Sequence, residues 1–464
     1  MSNRIRSRGW VVVNPSRLAL ALAILVSATL PGGVSRAVSG HPETGLVISR
    51  RYDPTNDPIA YFGMGLASGD FNGDGYSDIV SGAPRSDLHR DDDGSAYVYM
   101  GSSDGLSRSP TILQPKSQKG ANFGDSASIG DINNDGFDDA VIGAPSWDGE
   151  GYGEGATFVY MGSPRGLSDP HTRRMDPTDR YHQFFGLQVT IGDANGDGFD
   201  EVFVMQASDE SDDGTLWVYS GASFGLRKKP LIIDSPRRNE DPYLGFDSVE
   251  YAGDVNGDNF GDLLASSGAR VYVFPGSHEG IQPESFQTLL HPDGDRGFAR
   301  SIASAGDLNS DGLNDVLVAG YEVTTNSEYV YLYLGSESDL EPHKNVAESP
   351  AAGDGSEHFG VEMAAAGDLD DDGFGDVVIS ASDRDGQFDA EGSAYLFLGS
   401  ESGWEVPPAE TFQVKPKYFT RFGYRVTSAG DVDGDGRDDL AIAATHWSSK
   451  KVYSEGRLFV FTRP

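Results

Sequence analysis

Cysteine is absent from all 464 residues of the sequence. Without it the chain forms no disulfide, carries no lipidated N-terminal cysteine and offers no thiolate to a soft metal. The sequence also lacks a permitted N-x-S/T site, so nothing indicates N-glycosylation. If the protein is exported, its stability must come from a large core, from repeat packing or from bound metal ions.

Positive charge is scarce as well. The chain has 35 Lys and Arg against 72 Asp and Glu, a formal net charge of -37. Such a surface repels nucleic acid and anionic membranes, and we expect neither as a partner. Repulsion among so many carboxylates also opposes folding unless bound cations neutralise part of the charge.

Long hydrophobic runs are missing except near the N-terminus. Four arginines up to Arg17 precede the apolar run 18–30, and a small-x-small cleavage site fits at Ser35 and Ala37. The pattern predicts a signal peptide over residues 1–37, with an uncleaved membrane anchor as the alternative. We therefore expect a soluble, monomeric mature chain that is secreted, periplasmic or held at the cell surface, and the lack of disulfides favours a bacterial exporter over an animal one.

Good helix-forming runs are few, whereas the chain has 60 Gly, 24 Pro and 20 Tyr. This composition favours many short strands joined by tight turns. The predicted fold is therefore all-β.

A nine-residue pattern rich in Asp, Asn and Gly recurs seven times. It begins "DFNGDGYSD" at Asp70, and each copy follows a glycine. A phenylalanine precedes each copy by eight or nine residues, so the repeats start near 62, 123, 185, 246, 298, 359 and 422. After the pattern come an apolar run, an aromatic strand and, in most repeats, "GSxxGL" with a short extended piece, which makes four strands per repeat.

Four antiparallel strands repeated seven times predict a seven-bladed β-propeller over residues 45–464. Small side chains before each pattern, as in "LASGD", suit strands that crowd the central axis. The last repeat stops after its third strand, at 457–461, and the segment "GLVISR" at 45–50 matches the missing fourth strand. We expect this N-terminal strand to complete the last blade and close the ring.

The segments "YFG" (61–63), "GDFNGDGYSD" (69–78) and "GAP" (82–84) resemble the FG-GAP repeat of the N-terminal propeller of integrin α-subunits. The sequence departs from that pattern in places. "GAP" is intact only at 82–84 and 143–145, and "FG" becomes "FD" at 246 and "FA" at 298.

Each nine-residue pattern offers side-chain oxygens at positions one, three, five and nine, and a backbone carbonyl at position seven. Hard oxygen donors in this number suit Ca²⁺ better than Mg²⁺ or a soft metal. An EF-hand is excluded because position twelve of the first loop is Ser81, inside a strand-like run. The predicted metal ligands are Asp70, Asn72, Asp74, Tyr76, Asp78, Asp131, Asn133, Asp135, Phe137, Asp139, Asp193, Asn195, Asp197, Phe199, Glu201, Asp254, Asn256, Asp258, Phe260, Asp262, Asp307, Asn309, Asp311, Leu313, Asp315, Asp368, Asp370, Asp372, Phe374, Asp376, Asp431, Asp433, Asp435, Arg437 and Asp439.

The alternative is that these loops are simple Asn-Gly and Asp-Gly turns, which explains the glycines but not four acidic or amide groups per loop. We predict up to seven structural Ca²⁺ ions. The fourth loop ranks weakest because Asn259 replaces its position-six glycine, and the third loop, with Glu201 at position nine, ranks next. Asp370 and Asp433 give the last two loops an additional carboxylate.

The resemblance implies that the face opposite these loops recognises an extracellular protein or glycan, in adhesion or a related role. Connections predicted on that face carry aromatic and arginine side chains, types enriched in binding hot spots: Trp147, Tyr152, Tyr181, His182, Tyr321, Arg384, Phe388, Arg421 and Trp447. Surface aromatics scattered without a common site are the alternative.

An extracellular hydrolase or lyase acting on polysaccharide, or an accessory domain of one, is the competing class. The segment "GASFG" (221–225) fits a G-x-S-x-G nucleophile motif, but it occupies the "GSxxGL" turn of its repeat and lacks the strand-turn-helix context. Histidines predicted on the same face match no ligand spacing: His89, His182, His291, His358 and His446. A tight titrating cluster would favour catalysis, and a broad aromatic face would favour binding.

Overall fold

The computed structural model describes residues 37–38 and 44–463, except for 55–56, 58, 117, 150–152, 168–170, 177–182, 208–213, 240–244, 292–296, 323–324, 326, 339, 341, 344, 351–356, 387–388, 415–418 and 449–453. Within these residues the regular structure is β-strand, apart from a 3₁₀ turn at Pro236–Asn239. In the described part of the chain, no helix has the length and apolarity needed to cross a membrane.

Seven antiparallel four-stranded sheets form the blades of a propeller, which confirms the predicted fold class. From the inner to the outer strand, blades one to four are Leu66–Gly69, Asp78–Ala83, Ser95–Tyr99, Thr111–Leu113; Ala127–Gly130, Asp139–Ala144, Ala156–Tyr160, Arg173–Met175; Gln188–Gly192, Glu201–Gln206, Thr215–Tyr219, Leu231–Asp234; and Ser248–Gly253, Asp262–Ser266, Arg270–Phe274, Gln287–Leu290. Blades five to seven are Phe298–Gly306, Asp315–Glu322, Ser327–Tyr333, Ala347–Glu348; Phe359–Gly367, Asp376–Ala381, Ser393–Phe397, Glu410–Phe412; and Phe422–Gly430, Asp439–Ala444, Arg457–Thr462, Val47–Tyr52. A short hairpin, Gly399–Ser400 with Gly403–Trp404, follows the third strand of blade six.

The N-terminal strand closes the ring as the sequence predicts. Val47–Tyr52 pairs antiparallel with Arg457–Thr462, the third strand of blade seven, with Ile48 opposite Phe461. Earlier in the chain, Ala37–Val38 adds a fifth strand to the outer edge of blade six. The rest of the predicted signal peptide, residues 1–36, lies outside the described residues.

The core lies between the blades rather than inside any one of them. Each of the seven junctions encloses one cluster of buried apolar side chains. The phenylalanine that starts each repeat belongs to one of these clusters; Phe62, for example, is fully buried between blades seven and one. The phenylalanine that starts each repeat therefore packs its blade against the preceding blade.

Two glycines explain why the "FG" and "GAP" segments occur together. Gly124 of the second repeat has φ = +96°, and its carbonyl lies against Gly82 of the first. A Cβ atom on Gly82 would stand 1.9 Å from that oxygen. The glycine of "GAP" thus makes room for the turn of the next blade, and Gly143 faces Gly186 in the same way.

The inner strands surround a polar axial cavity of about 620 Å³. Alanine, serine and threonine are prominent in its wall, as expected where strands crowd an axis. Four longer charged side chains also line it: Glu250, Arg300, Glu362 and Arg425. Arg425 forms an ion pair with Glu362 at 3.0 Å and donates from Nε to the Met64 carbonyl, which links blades six, seven and one.

Candidate metal loops and ligand face

The position-one aspartate organises each nine-residue loop. In the first loop, Asp70 Oδ1 accepts from the Gly73 amide at 2.7 Å, and its Oδ2 accepts from the Gly75 amide at 2.9 Å. The bond from the position-six amide recurs in all seven loops at 2.7–2.9 Å. Position six has positive φ throughout, including Asn259 at +67° in the fourth loop, since asparagine tolerates this region.

The position-nine carboxylate is the buried anchor of each loop. Asp78 is fully buried, and its two oxygens accept from the backbone amides of Phe71 at 3.1 Å and Gly101 at 2.7 Å. Burial raises the pKa of Asp78 to about 7; repulsion from Asp74 and Asp70 adds to the shift, and the two amides oppose it. The pKa values of Glu201 and Asp439 rise to about 8, again chiefly through burial.

Positions one, three and nine converge on one point in the last two loops. Carboxylate oxygens of Asp368, Asp370 and Asp376 lie within 4.8 Å of one another, and the corresponding side chains of loop seven do the same. The position-five carboxylates are not members of these groups; instead they accept from the position-seven amides, as Asp74 Oδ1 does from Tyr76 at 3.1 Å.

Several buried oxygens at position three are left without a hydrogen bond. The Oδ1 atoms of Asn133, Asp370 and Asp433 have no partner among the described residues. Orphaned acceptors next to buried carboxylates are costly unless a donor or cation completes them. This donor set of oxygens fits a hard divalent cation.

Loops three and four differ from the others at position three. The amides of Asn195 and Asn256 donate to the position-nine carboxylates Glu201 and Asp262, at 2.9 and 3.1 Å. In loops one and five the corresponding asparagines donate to position five instead. The sequence ranks these two loops weakest for calcium, and in both of them the position-three amide already donates a hydrogen bond to the position-nine carboxylate.

Hydrogen bonds join most of the loops to the following blade, a connection that the sequence did not reveal. In five junctions, the position-eight amide of the next blade donates to the position-one carbonyl at 2.8–3.3 Å. In six, the second residue of the "GSxxGL" turn donates to the position-two carbonyl at 2.9–3.2 Å. Between blades three and four, where position eight is Gly261, the Tyr251 hydroxyl donates to the Asp193 carbonyl at 2.9 Å.

These hydrogen bonds between blades explain the "GASFG" segment. Its Ala222 amide bonds the Ile132 carbonyl of the preceding blade, and Gly225, with φ = +92°, closes a tight turn around the exposed Ser223. The segment is therefore an inter-blade turn, and its serine lacks a strand-to-helix elbow.

The opposite face carries a cluster of arginine and aromatic side chains at the junction of blades seven and one. We call Tyr61, Arg85, Arg421, Tyr424 and His446 the junction cluster. The Tyr61 and His446 rings are 4.8 Å apart, and the His446 and Tyr424 rings are 5.8 Å apart. The exposed Arg85 lies 5.3 Å from the Tyr61 ring centroid, and Arg421 lies 5.9 Å from that of Tyr424.

Contacts with Asp383 hold the edge of this cluster. Arg421 and His358 both contact Asp383, at 2.7 and 2.5 Å. Tyr61, His358 and Arg421 each precede the first phenylalanine of a repeat, and each has positive φ, from +48° to +56°. Asn122 and Phe184 have positive φ at the same position of blades two and three, so this conformation belongs to the repeat turn. Burial and the nearby Arg421 lower the pKa of His446 to about 4, against a smaller opposing effect of Asp383.

The predicted ligand-face residues divide into three groups. Trp147 and Trp447 were expected at the surface, but they are 6% and 8% exposed and pack on Phe158 and Phe459. Arg421 belongs to the junction cluster, whereas Arg384 donates to Ser393 in blade six and Tyr321 is half-buried near the end of the second strand of blade five. Tyr152, Tyr181, His182 and Phe388 lie outside the described residues. Sequence reasoning did not single out Tyr61, Arg85 or Tyr424, although Tyr61 stands beside the "FG" motif.

The histidines are spread over the ring. His291 is buried against Phe298 and two tyrosines in blades four and five, and His89 contacts Gln114 in blade one. Among the predicted ligand-face histidines that the structure describes, only His358 and His446 lie near the junction cluster.

Comparison with known proteins identifies the repeats. The FG-GAP repeat family model matches residues 62–99, 123–160 and 422–461, which extend from the first phenylalanine to the third strand in blades one, two and seven.

Curated relatives are integrin α-subunits. The chain is 36% identical over 153 residues to integrin alpha-PS5 of Drosophila melanogaster, covering 31% of this chain and 15% of that protein. It is 32% identical over 179 residues to integrin alpha-4 of Xenopus laevis, covering 38% and 16%. It is 25% identical over 250 residues to integrin alpha-8 of Mus musculus, covering 52% and 22%. The matched region thus spans less than a quarter of each of these relatives.

Proposed function

Because this chain is an integrin-α-like FG-GAP propeller, we propose that it is a secreted, calcium-binding module that recognises an extracellular protein or glycan, with adhesion as its role. The separation of its two faces carries this proposal. One face holds seven acidic loops that fit hard cations, and the other presents a rigid cluster of arginine and aromatic side chains.

Calcium has a structural role in this proposal. The position-nine anchors are buried and close to other carboxylates, so a bound cation replaces repulsion with attraction in each loop. An ion that binds only the folded chain stabilises it by roughly 3 to 4 kcal/mol per site at concentrations of 100 to 1,000 times Kd.

Chelation tests the structural role. Addition of EDTA is expected to lower the melting temperature in circular dichroism, and excess Ca²⁺ is expected to restore it. A melting temperature unchanged by EDTA contradicts calcium binding.

Ligand recognition is assigned to the junction cluster. Arg85 and Tyr424 belong to different blades, so a ligand that contacts both would bind the assembled ring and not a single repeat. Aromatic and arginine side chains contribute most strongly to binding when a partner covers them.

A glycan and extracellular-protein binding screen, with and without Ca²⁺, tests this assignment. For a ligand found there, Arg85→Ala and Tyr424→Ala are each expected to weaken binding at least tenfold. The matched control is Phe224→Ala, since Phe224 is an aromatic residue 77% exposed in a turn on the loop face. Equal losses in the control and the cluster variants would contradict the assignment, and turnover of a glycan would favour the hydrolase or lyase alternative.

A further inference from the structure

The first metal loop is enclosed by residues of the second blade. The Asp138 carboxylate accepts from the Asp70 amide at 2.7 Å, and the Asp138 amide donates to the Asp70 carbonyl at 3.0 Å. The Phe137 ring covers the glycine at position four, because a Cβ on Gly73 would lie 2.8 Å from it. Two consecutive residues of blade two therefore fix the start and the middle of loop one.

Position eight is also aspartate in blades three and seven. The Asp200 carboxylate accepts from the Asp131 amide of loop two, and its own amide donates to the Asp131 carbonyl at 3.2 Å. Asp438 lies against Gly367, directly before Asp368 of loop six; a Cβ there would stand 1.8 Å from its Oδ2. The other blades have Ser77, Gly261, Asn314 and Gly375 at this position.

We propose that Asp138, Asp200 and Asp438 are positioning residues for the cation site of the preceding blade. The Asp138 and Asp200 carboxylates hold the backbone of the position-one ligand, and Asp438 lies against the residue before it. Each adds a negative charge beside the loop, so a bound cation joins two blades as well as closing its own loop. The inference rests on the proposed cation sites. It also ranks them: loop six, with Asp368, Asp370, Asp372 and Asp376 of its own and Asp438 from blade seven, is the strongest.

Loop one offers a spectroscopic reporter for the test. Tyr76 is the tyrosine at position seven, where the other loops have Phe, Leu or Arg. Tb³⁺ is a hard cation that seeks oxygen ligands as Ca²⁺ does, and a nearby excited tyrosine sensitises its emission. The Tyr76 ring also lies against Gly434 of loop seven, so the titration is done in full-length chains that carry Asp435→Ala to disable that loop. Emission lost in Tyr76→Phe then reports loop one.

Asp138→Ala is expected to weaken the Tyr76-dependent Tb³⁺ titration about tenfold, the effect of losing one charge-assisted hydrogen bond of about 1.4 kcal/mol. The control is Asp104→Ala, which removes an exposed carboxylate from the "GSSDGL" turn of blade one that makes no hydrogen bond to Asp70 among the described residues, and it is expected to leave the titration unchanged. Asp138→Asn, which keeps an oxygen acceptor, is expected to recover part of the affinity, and it replaces the alanine variant if that chain does not fold.

Equal titrations of the Asp138 variants and the unsubstituted chain would overturn the positioning role while leaving the cation sites in place. Equal losses in Asp104→Ala and Asp138→Ala would also overturn it, because the effect would then be one of general charge. The absence of any Tyr76-dependent Tb³⁺ signal would overturn the cation site itself, and this inference with it.

Discussion

At the residue scale, the junction cluster shows how contacts between blades change the pKa of one side chain, His446. His446 follows the second strand of blade seven, and Tyr61 of blade one and Tyr424 of blade seven contact its ring. Its pKa of about 4 lies below the usual value because burial and Arg421 disfavour the charged form. The imidazole is therefore neutral at physiological pH, and its Nδ1 lies 3.0 Å from the Thr445 hydroxyl.

This lowered pKa predicts how stability depends on pH. As the pH falls from 6.5 towards 4, the unfolded chain takes up a proton at His446 that the folded chain does not, so stability falls. One such proton contributes a slope of up to about 1.4 kcal/mol per pH unit. Compared with the unsubstituted chain, His446→Gln is expected to lose less stability over this range in urea denaturation at saturating Ca²⁺. Parallel pH profiles for the two chains would contradict the assignment.

At the element scale, backbone contacts hold neighbouring blades together at both ends. The "FG" turns of blades two and three fit against the "GAP" glycines Gly82 and Gly143 on one face, and most of the nine-residue loops bond the next blade on the other face. Blade edges therefore meet along their length, with the apolar clusters between them. Glycine is required at Gly82 because the approaching group is a backbone carbonyl, which cannot move aside as a side chain can.

Gly82→Ala is expected to destabilise the protein by about 3 kcal/mol, near the upper end for inserting a methyl group into a packed site. Ser81→Ala in the same strand is the control; the buried Ser81 hydroxyl has no hydrogen-bond partner among the described residues, so this change is expected to cost little. Urea denaturation measures both. Similar losses of stability for the two variants would show that any substitution in this strand destabilises the protein, and that the contact between Gly82 and Gly124 has no special role.

At the scale of the whole molecule, stability depends on closure of the ring. Tyr52 in the closing strand is 5% exposed, its ring contacts Tyr99 of blade one in a tilted arrangement with the centroids 4.3 Å apart, and its hydroxyl donates to the Leu106 carbonyl at 3.1 Å. The N-terminal strand thus pairs with blade seven and also packs on blade one. Removing this contact weakens the junction between the last and first blades.

Tyr52→Ala is expected to cost about 3 to 5 kcal/mol, as for other large buried side chains. Because the ring is closed, amide hydrogen exchange is expected to accelerate in all seven blades rather than in blade seven alone. Tyr52→Phe keeps the ring contact with Tyr99 and loses only the hydroxyl, so it is expected to lower the free energy of unfolding by about 1 kcal/mol. Faster exchange confined to blade seven would indicate that the blades unfold independently.

The sequence by itself determined the number of blades, the strand order and the closing strand, because these features depend on local sequence patterns. A loop that must turn at position six needs Gly75 or its equivalent, and alternating loops and apolar runs fix the strands between them. The metal-loop residues followed from the same local pattern, as did the left-handed conformation of Asn259.

The tertiary structure alone decided which side chains meet across blades. Trp147 and Trp447 look like surface aromatics in the sequence, yet the ring buries them, whereas the exposed Arg85 and the half-buried Tyr61 and Tyr424 belong to the junction cluster. Asp138 stands 68 residues from Asp70, and no local pattern indicates that its carboxylate holds that loop. Such contacts depend on how far each blade rotates about the axis, a property of the packed ring that no single repeat contains.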